Sequence, residues 1–271
     1  MPRAMAGQVR RGIPMIGAFA GDVIGSAWEA SGEKRLDFPL FGEHSRYSDD
    51  SVMTAAVAHA LLEGEDYARA MRRFGRAHPF AGYGGHFERW LIDPAMAAYD
   101  SYGNGGAMRA SPVGYARESI EAVLEEARRC AAPTHGHPEG VKGAQAVALA
   151  VFLARKGADK AEIRREVASR TGYDLSRSVA EIRPGHAFSV EASRSVPEAI
   201  VSFLDAVDVE SAIRNAVSLG GDADTMACIA GAIAEAHWGA VPEAIATEVR
   251  ARVPEEFLQI AARFHERFSR R

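Results

Sequence analysis

Only two cysteines occur in the 271 residues, Cys130 and Cys228, and they form no CxxC pair. Their scarcity suits a reducing compartment and excludes both a disulfide-stapled scaffold and a thiolate zinc site. A basic excess is lacking too, with a formal net charge of −4 and a pI near 6.2. That balance excludes a protein that grips nucleic acid by bulk electrostatics, while a local anion site remains open. Long apolar runs are missing. The chain starts basic, but the apolar run that follows is short and carries Asp22. Neither a cleaved signal peptide nor a transmembrane helix is expected, so the protein reads as cytoplasmic with no membrane partner. Alternating strand patterns are nearly absent, HAFSVEA (186–192) being the best candidate. No repeat, low-complexity tract or Pro/Ser linker divides the chain, which is expected to form one all-α domain over residues 1–271.

Helical periodicity is what the sequence does have. Ser51 to Glu63, Glu118 to Ala131, Lys142 to Lys156 and Lys160 to Arg170 combine helix formers with apolar residues three and four apart. Gly157 and Gly172 follow two of these segments, where a left-handed terminal residue is wanted. Pro197 suits the first turn of a helix in SVPEAIVSFLDAV, Asp208 suits an N-cap and Gly220 a stop. Pro242 and Pro254 open the last two helices. Segments such as AGDVIGSA and CIAGAIAEA are rich in Ala and Gly, which lets helix axes approach closely and hold emerging loops rigidly.

Three segments share a chemical design. In GAFAGDVIGSAWEA, Asp22 and Glu29 stand seven residues apart and project from roughly one helix face. YSDDSVMTAAVAHALL places Ser48, Asp49 and Asp50 just before a helix, and GGDADT places Asp222, Asp224 and Thr225 at the start of another. One carboxylate at a helix start has an ordinary explanation, capping of free N–H groups for about 0.5–2 kcal/mol. A cap needs one side chain, and here two helices each begin with two acids and a hydroxyl. Hard divalent cations such as Mg²⁺ or Mn²⁺ want oxygen ligands of these kinds. The two clusters, brought together with Glu29, suit two such ions. Zinc is disfavoured because neither cluster contains cysteine or histidine.

Gly103, Gly105 and Gly106 around Asn104 allow positive φ and close backbone approach to an anion, with an ordinary turn as the alternative. The run is neither a P-loop nor a dinucleotide fingerprint. His135 and His137 precede a helix expected to start near Glu139, where capping or packing competes with a ligand role. Arg109, just after the glycine run, is either part of an anion site or structural. The stretch FAGYGGHFERWL (80–91) reads as a loop folded onto the surface, either a lid or a support.

Taken in this order, GAFAGDVIGSAWE, YSDDS, YGNGGAMRASPVG, THGHPEG and SLGGDADTMACIAGAIAEAHWG resemble the ADP-ribosylglycohydrolase family, from about Ile16 to Gly239. Serine stands at positions 48 and 51 where that pattern usually has threonine; the hydroxyl oxygen is kept. The resemblance implies an all-α orthogonal bundle, the C-terminal helices (242–268) packing on it, and a two-metal centre of Mg²⁺ or Mn²⁺ at the base of a cleft. Ser48, Asp49 and Asp50 would ligate from one side, and Asp222, Asp224 and Thr225 from the other. Glu29 matches a mobile glutamate that reaches a metal or the substrate ribose, and Glu29, Asp49 and Asp224 are the catalytic candidates. Gly103, Asn104, Gly105, Gly106, Ala107 and Met108 would hold the diphosphate and distal ADP-ribose, with Tyr102 and His135 at the adenosine. Asp22 is placed behind the ligands. The implied reaction is hydrolysis of the bond between ADP-ribose and an acceptor, a protein side chain first, with a nucleobase or small molecule left open. The competing readings are an ADP-ribose-binding or crystallin-like protein and a metal-dependent nucleotide phosphohydrolase; intact DD and DxDT acids favour the enzyme.

Overall fold

Caps and spaced apolar residues set the helix boundaries seen in the computed structural model, which describes residues 13–29 and 31–268. The basic residues at 1–12, on which part of the signal-segment reading rests, lie outside the described residues. In chain order the helices are α1 (Ile16–Gly25), α2 (Asp49–Glu63), α3 (Tyr67–Ala77), α4 (Gly85–Ile92), α5 (Gly105–Met108), α6 (Ser111–Ala116), α7 (Ile120–Ala131) and α8 (Pro138–Arg155). They continue as α9 (Lys160–Thr171), α10 (Val179–Ile182), α11 (Ala192–Leu204), α12 (Val209–Val217), α13 (Ala223–Trp238), α14 (Glu243–Arg250) and α15 (Glu255–Phe268). Among the described residues there is no strand, only the isolated bridges Asp100 with His135 and Gly103 with Glu191. The fold is all-α. No described helix is long and apolar enough to cross a membrane.

Several terminators act as the sequence predicts. Gly157 and Gly172 take positive φ at the ends of α8 and α9. Asp208 caps α12 in a capping box with Ser211, and Pro242 stands at the N-cap of α14. Three expectations are corrected. HAFSVEA forms no strand but an extended loop leading into α11, because no neighbouring strand offers it a ladder of backbone partners. Pro197 lies inside α11 and not in its first turn; the helix starts at Ala192, and the ring leaves the Ser193 carbonyl without its helical donor. Half of the supposed surface loop 80–91 is α4, whose Phe87, Trp90 and Leu91 recur at helical spacing and are buried.

One contact governs the centre. Gly17, Gly21 and Gly25 recur every fourth residue of α1 and form a side-chain-free stripe. A Cβ at Gly17 would lie 2.3 Å from the Gly231 carbonyl oxygen, one at Gly21 2.0 Å from that of Ala227, and one at Gly25 2.5 Å from that of Ala223. Helices α1 and α13 therefore meet backbone to backbone. The close approach sets Asp22, beside Gly21, against the first turn of α13 that carries Asp224. At the opposite end of this pair, Glu235 of α13 accepts the Gly17 N–H at 3.0 Å and so serves the free start of α1. Helix α14 packs on α1 and α15 on α2, with the Phe257 ring 6.0 Å from that of Phe19 and 5.8 Å from that of Tyr47.

Candidate functional site

Asp22 is the pivot of the site. It is fully buried and accepts hydrogen bonds from the Ser48 N–H at 3.0 Å, the Ser48 hydroxyl at 2.6 Å, the Ser51 N–H at 3.0 Å and the Ser51 hydroxyl. A carboxylate of α1 thus satisfies the free N–H groups that open α2, a capping role supplied from a distant part of the chain. Ser48 remains the N-cap in its own right, accepting from the Asp50 N–H at 3.3 Å. The start of α2 is thereby fixed against α1, and α1 against α13.

Two groups of carboxylates converge on this frame. Oxygens of Asp22, Asp50 and Asp224 lie within 4.8 Å of one another, as do oxygens of Glu29, Asp222 and Asp224. Asp224 belongs to both. Burial first, and then repulsion from Asp224, raises the pKa of Asp22 to about 6. Burial and then repulsion from Asp222 raise Asp224 to about 8. Asp50 and Asp222 are raised chiefly by burial, whereas Glu29, at the exposed lip, is raised chiefly by Asp224 and lowered by Arg46. So many carboxylates in one place are mutually unfavourable without a positive charge among them. In addition, Asp50 Oδ1 is buried without a hydrogen-bond partner. The oxygen-only donor set, the repulsion and this orphaned oxygen together fit a divalent cation.

Asp49 borders the same cavity but belongs to neither group; it is half-buried, and its N–H donates to the Ala81 carbonyl at 2.8 Å. The two expected neutral ligands are both engaged by carboxylates. Ser48 donates to Asp22, and Thr225 donates to Asp50 at 3.2 Å.

Above this floor opens a cavity of ≈ 420 Å³, within the range of small-molecule sites. Gly103, Asn104, Gly105, Met108 and His135 border it, whereas Tyr102, Gly106 and Ala107 do not. None of the three loop glycines takes positive φ, since Gly105 opens the single turn of α5. Their smallness serves packing. A Cβ at Gly105 would lie 2.9 Å from the His135 ring, and one at Gly106 3.1 Å from the His135 Cβ. Asn104 ties the loop to the floor through its amide, donating to Asp222 at 2.8 Å and to Ser195 at 3.1 Å. His137 is a cap, accepting the Glu139 N–H at 3.1 Å. Tyr102 is 55% exposed, its ring 6.0 Å from that of His137.

Several lining residues were not singled out by the sequence, although Phe80 and His86 fall in the 80–91 stretch it offered as a lid or support. Arg46 and Phe80 stand at the lip, and Phe80 is 96% exposed. His86 and Tyr99 form the aromatic side, their rings 4.2 Å apart. The glycines of 82–85 hid the helical spacing that would have pointed to α4. Nothing local marks Arg46, which reaches the site because its N–H donates to the Ser26 hydroxyl at 3.1 Å.

This geometry agrees with what comparison finds. A family model described as ADP-ribosylglycohydrolase matches residues 14–271. The chain is 30% identical to the ADP-ribosylhydrolase ARH3 of Mus musculus, over 84% of this chain and 84% of that protein. To the Homo sapiens ADP-ribosylhydrolase ARH3 it is 29% identical, over 84% of this chain and 86% of that one. A solved structure described as an ADP-ribosylglycohydrolase-related protein complex superposes with a TM-score of 0.71 at 25% identity, covering 94% of this chain and 96% of the other.

Proposed function

This chain belongs to the ADP-ribosylglycohydrolase family, and on that premise we propose that it hydrolyses the glycosidic bond joining ADP-ribose to a protein side chain, reversing ADP-ribosylation. The observation that carries the reading is the pair of carboxylate groups sharing Asp224 at the base of a cavity whose glycine loop is tied to Asp222 through Asn104. The names of the mouse and human relatives point to the same chemistry.

Asp22, Asp50, Asp222, Asp224 and Glu29 supply the carboxylate oxygens for two divalent cations, Mg²⁺ or Mn²⁺, with Asp49, Ser48 and Thr225 beside them. The chemistry supplied when the site is filled is charge neutralisation and Lewis-acid polarisation of the sugar hydroxyls. Cleavage at an anomeric carbon passes through an oxocarbenium-like state, which a cluster of carboxylates stabilises electrostatically. Glu29 is the exposed member of its group and is assigned the proton of the attacking water. The water oxygen bonds to the anomeric carbon, the bond to the acceptor breaks, and the acceptor leaves with a proton. Gly103, Asn104, Gly105 and His135 hold the diphosphate side of ADP-ribose against α5.

Product analysis on an ADP-ribosylated peptide, with and without Mg²⁺ or Mn²⁺, tests this. Intact ADP-ribose formed only with metal is expected. AMP or free phosphate as the product would instead assign phosphoester or pyrophosphate cleavage, and turnover indifferent to chelation would sink the metal assignment.

A further inference from the structure

Two residues of the quoted motifs have no part in the reaction so far: Arg109, which ends GNGGAMR, and Thr134, which opens THGH. Both are 0% exposed. Arg109 has no carboxylate partner among the described residues, and its Nε and Nη1 atoms are buried without hydrogen bonds. Its Nη2 donates to the Thr134 hydroxyl at 2.8 Å and to the Cys130 carbonyl at 3.3 Å. The Thr134 hydroxyl oxygen in turn lies 2.8 Å from His135 Nδ1.

Donor counting fixes the direction of this chain. A guanidinium only donates, so the Thr134 oxygen accepts from Arg109. The hydroxyl has one proton, and Thr134 is shut off from water. Among the described residues, His135 Nδ1 is the acceptor at hydrogen-bonding distance, and leaving a buried hydroxyl proton unmade costs about 1–3 kcal/mol. The proton therefore goes to Nδ1. A ring that accepts at Nδ1 while neutral carries its own hydrogen on Nε2. Burial and the nearby Arg109 charge both hold the ring pKa well below its usual value, so the ring is neutral. The Nε2 edge lies along the glycine loop, where a Cβ at Gly105 would come within 2.9 Å of that atom and one at Gly103 within 3.7 Å.

We propose that Arg109 and Thr134 are positioning residues that lock His135 in the Nε2–H tautomer, so that the cavity wall presents a neutral donor to an anionic, diphosphate-bearing ligand. The ligand clause rests on the function proposed above; the tautomer does not. A neutral donor suits this place because it binds an anion without adding a charge that must be desolvated. The Arg109 guanidinium, buried and without a carboxylate partner among the described residues, borders the same cavity and favours an anion there.

Long-range ¹H–¹⁵N spectra of the imidazole rings test the lock, with His135 assigned by the signals lost in His135→Gln. The intact protein and Thr134→Ser are expected to show an unprotonated Nδ1 and a protonated Nε2. Thr134→Val, which keeps the shape and removes the hydroxyl, is expected to show mixed tautomers and to weaken ADP-ribose binding by about tenfold, the size of one neutral hydrogen bond. Thr134→Ser is expected to stay within about twofold of the intact protein, a rescue that packing alone does not predict. A protonated Nδ1 in the intact protein overturns the lock whatever the variants do. The expected tautomer together with no affinity for ADP-ribose overturns the donor role and the functional reading while the lock stands. Unchanged tautomer and affinity in Thr134→Val overturn the role of Thr134.

Discussion

Replacing Gly21 by alanine adds one methyl group at the closest point between α1 and α13. That carbon would lie 2.0 Å from the Ala227 carbonyl oxygen, 2.2 Å from its carbon and 2.4 Å from the Cys228 nitrogen. All three are backbone atoms of a buried helix and cannot rotate away. An ordinary contact needs about 3.4 Å or more, so the helices must separate by roughly 1 Å or more. Overpacking of this kind costs about 3 kcal/mol, against which alanine returns about 1 kcal/mol of helix propensity over glycine. A net loss of about 2 kcal/mol corresponds to a fall of roughly 4–8 °C in Tm for a chain of this size. The functional cost is larger, because Asp22 moves with α1 while Asp224 stays with α13. A misplacement of about 1 Å in a preorganised site costs roughly 10²-fold in rate. Thermal unfolding by circular dichroism and kcat/KM on an ADP-ribosylated peptide measure the two effects. Gly42→Ala, where an added Cβ meets nothing within 4 Å, is the control. A Gly21→Ala protein with the Tm and kcat/KM of that control would refute the backbone-contact argument.

Glu235 makes stability depend on pH. Its folded pKa is raised from 4.5 to about 8 by burial, so the folded state holds a proton that the unfolded chain has released. The contribution is complete below the unfolded pKa and is lost as pH rises towards 8, by a few kcal/mol in total, about 1.4 per pH unit. Urea unfolding at pH 5 and pH 8 should show a smaller difference for Glu235→Gln than for the original protein. Asp224→Asn removes the charge shared by both carboxylate groups. In EDTA at about pH 9, above the Asp224 pKa of about 8, it should raise Tm, since repulsion falls by about 1–2 kcal/mol, and Mn²⁺ titration calorimetry should show weakened binding, with kcat/KM down at least about 10³-fold. A lower Tm in EDTA would mean that Asp224 is structurally paired. Phe80→Ala should leave Tm within about 1 °C, because so exposed a ring packs on little; a rise in KM with unchanged kcat would place the ring against substrate.

Much of the fold was legible because helices announce themselves locally. Asp208, Gly157, Gly172 and Pro242 act where their chemistry says they should, and the glycine–alanine richness of α1 and α13 foretold their close approach. Pro197 misled because a helix start was read from one residue, while α11 begins earlier. For the site, the types and spacing of the acids were visible in the chain, but their grouping was not. Asp22, placed behind the ligands by sequence, accepts from Ser48 and Ser51 and has an oxygen within 4.8 Å of Asp50 and Asp224, while burial and then repulsion from Asp224, Asp22 and Asp222 raise the Asp49 carboxyl. Which of two adjacent acids faces a neighbour depends on the packing of α1 against α2 and α13, and no local pattern encodes it. Arg46 carries no motif at all, and Phe80 opens a stretch whose role the sequence left open. The Arg46 N–H donates to the Ser26 hydroxyl, and Phe80 adjoins Ala81, whose carbonyl accepts the Asp49 N–H.

The Asn104 amide spends one hydrogen on Ser195 and the other on Asp222. Any charge that draws on the Asp222 carboxylate therefore pulls on the same bond that holds the glycine loop. Thermodynamic reciprocity then requires the converse: a ligand seated on the loop changes the cation affinity of the floor by the same factor that the cation changes the ligand's. Loop and floor share this one bond, and under the proposed metal assignment a loop without its asparagine would lose its link to the cations of the floor.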